Sequence, residues 1–559
     1  MKINPLSFLK NALLFLSGCS ILFLVLSRDW YISLPWFISI LALFYIFTLL
    51  WGFIIYKYHI LEKIPTVFSK RTRGVIFLLT FGISLYLLLR NGSFWTLIST
   101  EYSYISGLFI LLTLASLYAV NIIIKYLTGL ITKQNTDADR ILKKILSIID
   151  TWKSYCILAV SIALLVVLYN LHSLLSAGTQ WNLIIWTFDY SYGFIPRGLL
   201  GTLMQGFCAL TGLQLSPDLW RATNLIGTLL FTAAILGFIF YTVKKITASQ
   251  SAATSRNIKL ITLLFLIGAG LSSYYELFGS PDIYLILLTI PVLCLILSEK
   301  HKLLQFISIL ILPVICMLIH SGYVFLFFNI ILALLLYKSF ITRTNRVNRY
   351  YLTALIASFT ACSILFIYFQ FFAQVNPDIT LEYVLEKASV LTVVESDTFI
   401  KYLLELLFGS SGLLGTFYGI SSQWTTLLIN LVIYSPFIWL AYKLWKGMVK
   451  NATGLKQKTV YILISLGFLT TVPLFIMHVD YGRWCYAVFF YEIALMLCLT
   501  VAGDKPFITS LNDVFRFLLN KPVLAVFLVL YVLLLGQFSI GNINLLEGCL
   551  NLFIHTILP

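Results

Sequence analysis

Charged residues are scarce in this sequence. Only 11% of its 559 residues are charged and 60% are hydrophobic, whereas a soluble protein has roughly 25% charged residues. No segment has the composition of a soluble domain. Apolar runs of about 20 residues, the length that crosses a bilayer, recur along the whole chain. The shortage of charge therefore predicts an all-α, polytopic integral membrane protein.

Cysteine-based structure is also excluded. The nine cysteines are scattered along the chain, mostly inside apolar runs, and none forms a CxxC pair or a His–Cys spacing typical of zinc. This pattern supports neither a disulfide framework nor a structural metal site. The first apolar run, 8–27, has no small-residue cleavage site after it, and we expect it to remain as an uncleaved first span.

The excess of base follows membrane topology. The sequence has 38 Lys and Arg against 22 Asp and Glu, a net charge of +16. Most of the bases fall in alternate loops between the apolar runs, which is the distribution expected of cytoplasmic loops. Most of the acids fall on the opposite side. We therefore expect a cytoplasmic N-terminus, some attraction to anionic lipid, no nucleic-acid partner, and polar chemistry at the outer face.

The apolar runs predict about 15 transmembrane helices. These lie at 8–27, 31–56, 74–90, 103–131, 153–175, 219–243, 257–273, 282–298, 303–319, 322–338, 351–373, 425–443, 459–477, 485–502 and 522–541. We divide the chain into an accessory bundle of about four spans (1–150), a membrane core (151–502) and a C-terminal span with an outer tail (503–559).

Two outer loops are long enough to hold structure of their own. The first, 176–218, predicts an interfacial helix over 198–212, with Arg197 in its first turn after Pro196. The second, 374–424, has an acidic amphipathic segment and then a glycine-rich stretch. Those glycines would allow a hinge, as a lid over a cavity needs. An ordinary interfacial helix with a flexible loop explains the same residues.

Polar side chains concentrate in four short outer segments, each where an apolar run meets the outer interface. An ionisable group at membrane depth costs roughly 2.5–3.5 kcal/mol, so such residues call for a reason. We expect the four segments to converge on one pocket. They are DYSYGFIPR (189–197), YELFGSPD (275–282), IHSGY (319–323) and HVDYGRW (478–484).

Each charged residue in these segments has a structural alternative. Glu276 ends a span, where an acid opposes the helix dipole, and this favours a functional role. Asp282 opens the next span, where helix capping explains it equally well. A lone histidine such as His320 is more often a packing residue. An interfacial loop would place Asp189 and Arg197 at headgroup level without any function.

Arg483 indicates phosphate binding more strongly. Its guanidinium is suited to bidentate contact with phosphate. The alternative is a salt bridge with Asp480 or Asp189 that only holds the bundle together.

Carboxylates that face guanidinium groups at the outer leaflet suit one reaction class. Sugar transfer from a lipid-phosphate donor needs a carboxylate base for the acceptor hydroxyl and cations for the phosphate leaving group. Aromatic side chains such as Tyr192 and Trp484 could stack on sugar rings, although aromatic belts are common at membrane interfaces.

The layout of residues 150–500 resembles the GT-C superfamily of polytopic glycosyltransferases. Asp189 falls in the first outer loop of this region, Glu276 and Asp282 fall in the second acidic loop, and 374–424 matches a later long loop. The four segments are also similar to those of uncharacterised membrane proteins from bacterial surface-polysaccharide gene clusters. The family's tightly spaced acidic pair is absent, since Asp189 stands alone, and the need for a metal is therefore in doubt.

The resemblance implies a GT-C-like core with interfacial helices in the outer loops, in the bacterial inner membrane. It implies sugar transfer from a polyprenyl-phosphate-linked donor to a glycan or lipid-linked acceptor. We expect Asp189 to be the base and His320 to assist it. No cofactor is certain, and a divalent metal ion stays open. The remaining roles are acceptor or metal positioning by Glu276 and Asp282, and phosphate or donor binding by Arg197, Arg483, Tyr192, Asp480 and Trp484.

Two other functions stay open. A repeat-unit polymerase of the O-antigen type also joins lipid-linked sugars and uses outer-face arginines. A lipid-linked oligosaccharide flippase or other transporter is the second alternative. Transporters often contain repeated halves. This sequence has no internal repeat, and its acidic residues gather on one side of the membrane, which disfavours a transporter.

Overall fold

The computed structural model describes residues 149–170, 174, 180–268, 270–276, 278–298, 300–341, 345–391, 424–477, 481–520 and 528. The chain divides into two compact units, one of residues 1–148 with 522–530 and one of residues 149–521 with 531–559. Apart from Leu528, all described residues belong to the second unit, which alone is described below. The predicted spans before residue 149 and the span at 522–541 lie outside this description, and the predicted domain boundaries stay predictions.

The described residues are 83% helical and contain no strand, which confirms the all-α class for this part of the chain. The first nine helices are α1 (Trp152–Tyr169), α2 (Gln180–Ile185), α3 (Gly198–Thr211), α4 (Pro217–Ser249), α5 (Ala252–Ile267), α6 (Ser272–Glu276), α7 (Asp282–Ser298), α8 (Lys302–Ile319) and α9 (Tyr323–Leu326). The next eight are α10 (Phe328–Ile341), α11 (Asn345–Phe371), α12 (Leu381–Ser389), α13 (Trp424–Lys450), α14 (Leu455–Ser465), α15 (Val472–Met477), α16 (Tyr481–Val501) and α17 (Lys505–Leu519).

Several of these helices have the length and apolarity of membrane spans. Five stretches meet both criteria, and four shorter helices are also apolar. The five are Pro217–Ser249, Lys302–Ile319, Asn348–Phe371, Leu455–Phe475 and Arg483–Val501. Each overlaps a span that the sequence predicts. The described unit is therefore an apolar helical bundle of the kind that membranes hold, while the total of fifteen spans stays a prediction.

Helix starts follow the capping residues of the sequence. The Ser216 hydroxyl accepts a hydrogen bond from the Leu219 amide at 3.2 Å, and Pro217 occupies the first position of α4. The Asp504 carboxylate accepts from the Phe507 amide at 2.9 Å at the start of α17. Such caps satisfy amides that have no partner within the helix.

Helix packing brings the start of α7 and the end of α8 together. Helix α7 packs against α4 and α8, and α16 packs against α4 and α7. A three-residue connection joins α7 to α8, and such short connections make neighbouring helices antiparallel. The start of α7 and the end of α8 therefore lie at the same end of the bundle. These two ends carry Asp282 and His320.

The first long loop is largely helical. Helix α3 confirms the predicted helix over 198–212. The prediction for Arg197 is wrong in detail, because Arg197 precedes the helix and has a left-handed backbone with φ of 70°. The helix begins at Gly198, whose backbone lies against the Tyr190 ring. The chain must therefore reverse its direction at Arg197 to let α3 pack back on the loop.

Gly201 fixes the position of α3 on this loop. A Cβ atom at residue 201 would lie 1.9 Å from the Phe188 carbonyl oxygen and 2.9 Å from that of Trp186. Both contacts are with backbone atoms, which cannot rotate away. Only glycine lets the helix approach the segment that carries Asp189.

Replacement of Gly201 by alanine is expected to destabilise the protein by roughly 1–3 kcal/mol, because the added methyl group overpacks a backbone contact. Gly206 on the same helix is the matched control, since a Cβ there meets nothing within 4 Å. Gly206→Ala should leave stability unchanged or raise it by about 0.5–1 kcal/mol. Thermal unfolding of the detergent-purified variants measures both effects, and equal midpoints for the two would contradict the close approach.

Candidate functional site

Three of the predicted site residues form one cluster, here called the arginine cluster: Asp282, His320 and Arg483. Arg483 binds the Asp282 carboxylate through two nitrogens, with Nε donating to Oδ2 and Nη2 donating to Oδ1 at 2.8 Å. Nη2 also lies 3.4 Å from Nε2 of His320. The three residues are separated by 163 and 201 positions in sequence. Three of the four segments expected in one pocket therefore meet here, whereas Asp189 of the fourth segment belongs to a separate cluster.

The backbone around His320 sets its protonation pattern. Nδ1 of His320 accepts a hydrogen bond from the Gly322 amide at 2.9 Å. A neutral imidazole that accepts at Nδ1 carries its proton on Nε2. The ring packs so closely on Gly322 that a Cβ there would lie 2.7 Å from the ring. In this tautomer the Nε2–H of His320 faces the Nη2 donor of Arg483, so their 3.4 Å approach is a contact between two donors and not a hydrogen bond.

The ion pair of the arginine cluster is buried. The Asp282 side chain is 1% exposed and that of Arg483 is 12% exposed. Removal of one partner from such a pair costs about 3–5 kcal/mol, because a buried charge remains without compensation. The pair therefore also holds α7 to α16, in addition to any chemical role.

Asp189 belongs to a second cluster, here called the lysine cluster: Asp189, Ser191, Tyr192, Tyr383 and Lys387. The Lys387 ammonium lies 2.5 Å from Oδ2 of Asp189 and 4.7 Å from the centroid of the Tyr192 ring. Oδ1 of Asp189 accepts hydrogen bonds from the amide and the hydroxyl of Ser191, at 2.8 Å for the amide. The Asp189 carboxylate is 3% exposed.

The partners of Asp189 keep it ionised. Burial alone raises the pKa of the carboxyl, but hydrogen bonds from Lys387 and Ser191, together with the lysine charge, lower its pKa below the ordinary value. A carboxylate that is stabilised as an anion is a weak base. In this arrangement Asp189 is better suited to holding a cation than to taking up a proton.

The lysine cluster joins the two long loops. Helix α12 comes from the second loop and packs Val384 and Ala388 on Ile184, Phe188 and other apolar residues of the first. The Asn376 amide donates to the Tyr192 carbonyl at 2.9 Å. The described part of the second loop, 374–391, thus packs on the first loop. The glycines 409–415 of the predicted hinge lie outside the described residues.

The two clusters are linked through the loop that precedes α7. The Asn182 side-chain amide donates to the Phe278 carbonyl at 2.8 Å, and the Trp186 indole donates to the Gly279 carbonyl at 3.3 Å. The Trp186 ring also packs edge-on against Tyr284. The segment before Asp189 therefore contacts the segment around Asp282, which places both clusters at one end of the bundle.

The other predicted residues are placed less centrally. Glu276 ends α6, and its side chain lies outside the described part, as does all of Asp480. Arg197 is half-buried beside α3. The Trp484 ring is buried and packs edge-on against Phe475 at 5.2 Å.

One predicted alternative is wrong. A salt bridge between Asp189 and Arg483 is not formed, because Asp189 pairs with Lys387 and Arg483 pairs with Asp282. The sequence could not assign these partners, since either acid would serve either base.

Sequence reasoning missed Lys387. Its signal is weak, because it is one of two lysines in an otherwise acidic outer loop that also holds Glu382 and Glu386. Its importance depends on α12 folding back over the first loop, which no local pattern predicts.

The described residues do not assign a metal ion to the protein. Within the described ranges, no group of three or more His, Cys, Asp or Glu side chains is arranged to hold a metal ion.

Comparison with known proteins does not assign a family or a function, since no family model, no curated protein and no solved structure matches the chain.

The lysine cluster makes stability depend on pH. Because the folded-state pKa of Asp189 is lowered, its contribution is present above the ordinary aspartate pKa of about 3.9 and is lost as pH falls through the lower folded value. We expect Asp189→Asn to cost about 1.5–3 kcal/mol at neutral pH, the value of a hydrogen bond to a charged group. The gap to wild type should close in acid, as measured by thermal unfolding between pH 7 and 3.

Asp218 provides the matched control for this titration. Its side chain is 91% exposed, and it pairs with Arg221 at 3.5 Å within one helix turn. Asp218→Asn should change stability little at any pH, as exposed pairs contribute little. A gap between Asp189→Asn and wild type that stays constant with pH would show that the ion pair is not its source.

Proposed function

We propose that this chain is an integral-membrane glycosyltransferase that moves a sugar from a polyprenyl-phosphate donor to a glycan or lipid-linked acceptor. The observation that carries the proposal is the contact of Asp282, His320 and Arg483 at one end of an apolar helical bundle. Three ionisable groups from distant segments meet where a membrane protein would otherwise avoid them.

The base role fits Asp282 better than Asp189. A carboxylate has about four lone-pair sites, and Arg483 takes one at each oxygen of Asp282. On Asp189, Ser191 takes two sites at Oδ1 and Lys387 takes one at Oδ2. Arg483 holds Asp282 as an anion too, but Asp282 keeps lone-pair sites for an acceptor hydroxyl and would gain basicity when Arg483 turns to the phosphate. We therefore assign proton removal to Asp282.

The same cluster offers donors for a leaving phosphate. The Arg483 guanidinium and the N–H at Nε2 of His320 lie side by side next to Asp282. Transfer from a phosphate donor develops negative charge on the leaving group, and fixed donors in a buried site stabilise that charge. Base and phosphate ligands in one cluster are what the reaction requires.

Asp189 then acts as a positioning residue. By holding Lys387 it keeps α12 over the first loop. Glu276 beside the acceptor and Arg197 beside the phosphate remain part of the proposal, on the strength of their places at the ends of α6 and before α3.

The cellular setting belongs to the proposal as well. Basic loops on one side of the spans and acids on the other favour an N-terminus inside and a site on the outer face, and the resemblance to surface-polysaccharide proteins implies a bacterial plasma membrane. A GT-C-like core with about fifteen spans rests on the layout of the outer loops. A repeat-unit polymerase would use the same cluster and differ in making long chains.

The proposal predicts transfer by the full chain in liposomes that contain undecaprenyl-phosphate-linked hexoses and a lipid-linked acceptor. Asp282→Asn should lower the rate by about 100-fold or more, the usual contribution of a general base. Since this change leaves Arg483 without its partner, the double variant Asp282→Asn/Arg483→Gln is the companion. It removes both charges, should fold better than the single variant, and should also be inactive. Asp218→Asn is the active control.

The products separate the competing functions. Singly extended acceptors support the transferase, while long polymers indicate the polymerase. Movement of lipid-linked sugar across the liposome without any new bond indicates a transporter. A folded Asp282→Asn variant with wild-type rate would remove Asp282 from the mechanism.

A further inference from the structure

Most buried tyrosine hydroxyls in the described bundle have a hydrogen-bond partner, although those of Tyr190 and Tyr192 in the first loop do not. The Tyr155 hydroxyl bonds to Thr262 at 2.8 Å, that of Tyr275 to Thr232 at 2.6 Å, and that of Tyr323 to Thr289 at 3.0 Å. Pairing of this kind is the rule for buried polar groups, because an unpaired one loses its bonds to water.

Tyr274 departs from this rule. Its side chain is buried, with the residue 3% exposed, and its hydroxyl has no hydrogen-bond partner among the described residues. The neighbouring Ser273 hydroxyl is in the same condition. Two adjacent buried hydroxyls without partners in helix α6 need an explanation beyond packing.

The position of Tyr274 supplies one. Its ring packs against Tyr486 at 6.5 Å, and Tyr486 lies one turn after Arg483 on the same face of α16. The phenol also interacts electrostatically with the charges of Asp282 and Arg483. The Tyr274 ring therefore lies against the first turns of α16, the helix that carries Arg483, and its phenol is within electrostatic range of the Asp282–Arg483 pair.

The phenol is a donor there. Burial raises the pKa of Tyr274 well above its ordinary value, and the Asp282 charge acts in the same direction. Tyr274 thus stays protonated. It therefore adds a hydrogen-bond donor next to the guanidinium of Arg483 and the ring of His320.

A guanidinium and a buried phenol from different segments suit a ligand with several acceptor oxygens, such as a phosphate. We propose that the Tyr274 hydroxyl donates a hydrogen bond to a phosphate oxygen of a ligand held by Arg483 and His320. This inference rests on the proposed function and assigns a phosphate-binding residue to that site. The phosphate could belong to a polyprenyl carrier or be free inorganic phosphate.

The test measures binding of three probes to the full chain in phosphatidylcholine nanodiscs: undecaprenyl phosphate, undecaprenol and inorganic phosphate. Native mass spectrometry at several probe concentrations gives the affinities. Wild type should prefer undecaprenyl phosphate to undecaprenol. Tyr274→Phe should weaken undecaprenyl phosphate by about tenfold or more, the effect of one hydrogen bond to a charged group, and leave undecaprenol unchanged.

Stability separates ligand binding from a structural role. Tyr274→Phe removes a hydroxyl without an internal partner, and its unfolding midpoint should equal or exceed that of wild type. Tyr323→Phe is the control, because it removes a paired hydroxyl and should lower the midpoint. A loss of stability in Tyr274→Phe would overturn the inference.

The remaining outcomes are also decisive. If wild type prefers the phosphate lipid and Tyr274→Phe does so equally, the inference fails and the proposed function survives. If wild type does not distinguish undecaprenyl phosphate from undecaprenol, the polyprenyl donor itself is wrong. If the protein binds inorganic phosphate and Tyr274→Phe weakens that binding too, the site recognises the phosphate group without the polyprenyl chain.

Discussion

The ion pair between Asp282 and Arg483 is the constraint on which the described bundle depends. It joins the first turn of α7 to that of α16 with both charges nearly removed from solvent. Such a pair contributes less to stability than apolar packing of equal volume would, yet it cannot lose one partner cheaply. A buried pair of this kind fixes which helix ends meet. His320 lies beside this pair, with its Nε2 3.4 Å from Nη2 of Arg483.

Two packing contacts hold the described part of the first long loop. Gly201 lets α3 approach its backbone, and α12 packs its apolar face on the same loop. Asp189 of this loop pairs with Lys387 of α12. The described part of the second long loop therefore packs on the first, and the charge pair is one of the polar contacts between them.

The sequence predicted the positions of the helices better than the ion-pair and hydrogen-bond partners of the polar side chains. Apolar runs gave the spans now seen as α4, α8 and α16, and the glycine-punctuated run gave α3, because hydrophobic length is a local property. The polar segments around Asp282, His320 and Arg483 were expected to converge, and they do. Lys387 and the orphaned hydroxyl of Tyr274 were not found, since their roles depend on how distant helices pack. Asp189 and Asp282 could not be told apart, because each has a base within reach only after folding.

Charge balance in the arginine cluster bears on how the proposed reaction would proceed. In the described state Arg483 neutralises Asp282, so a phosphate that enters must compete with that carboxylate for the guanidinium. As the donor's glycosidic bond breaks, negative charge grows on the phosphate, and its attraction to the Arg483 guanidinium becomes stronger. Contact between Arg483 and Asp282 then weakens, and the carboxylate becomes a better proton acceptor. Leaving-group stabilisation and base activation would thus be coupled through one arginine, which explains why a transferase would place all three groups in contact.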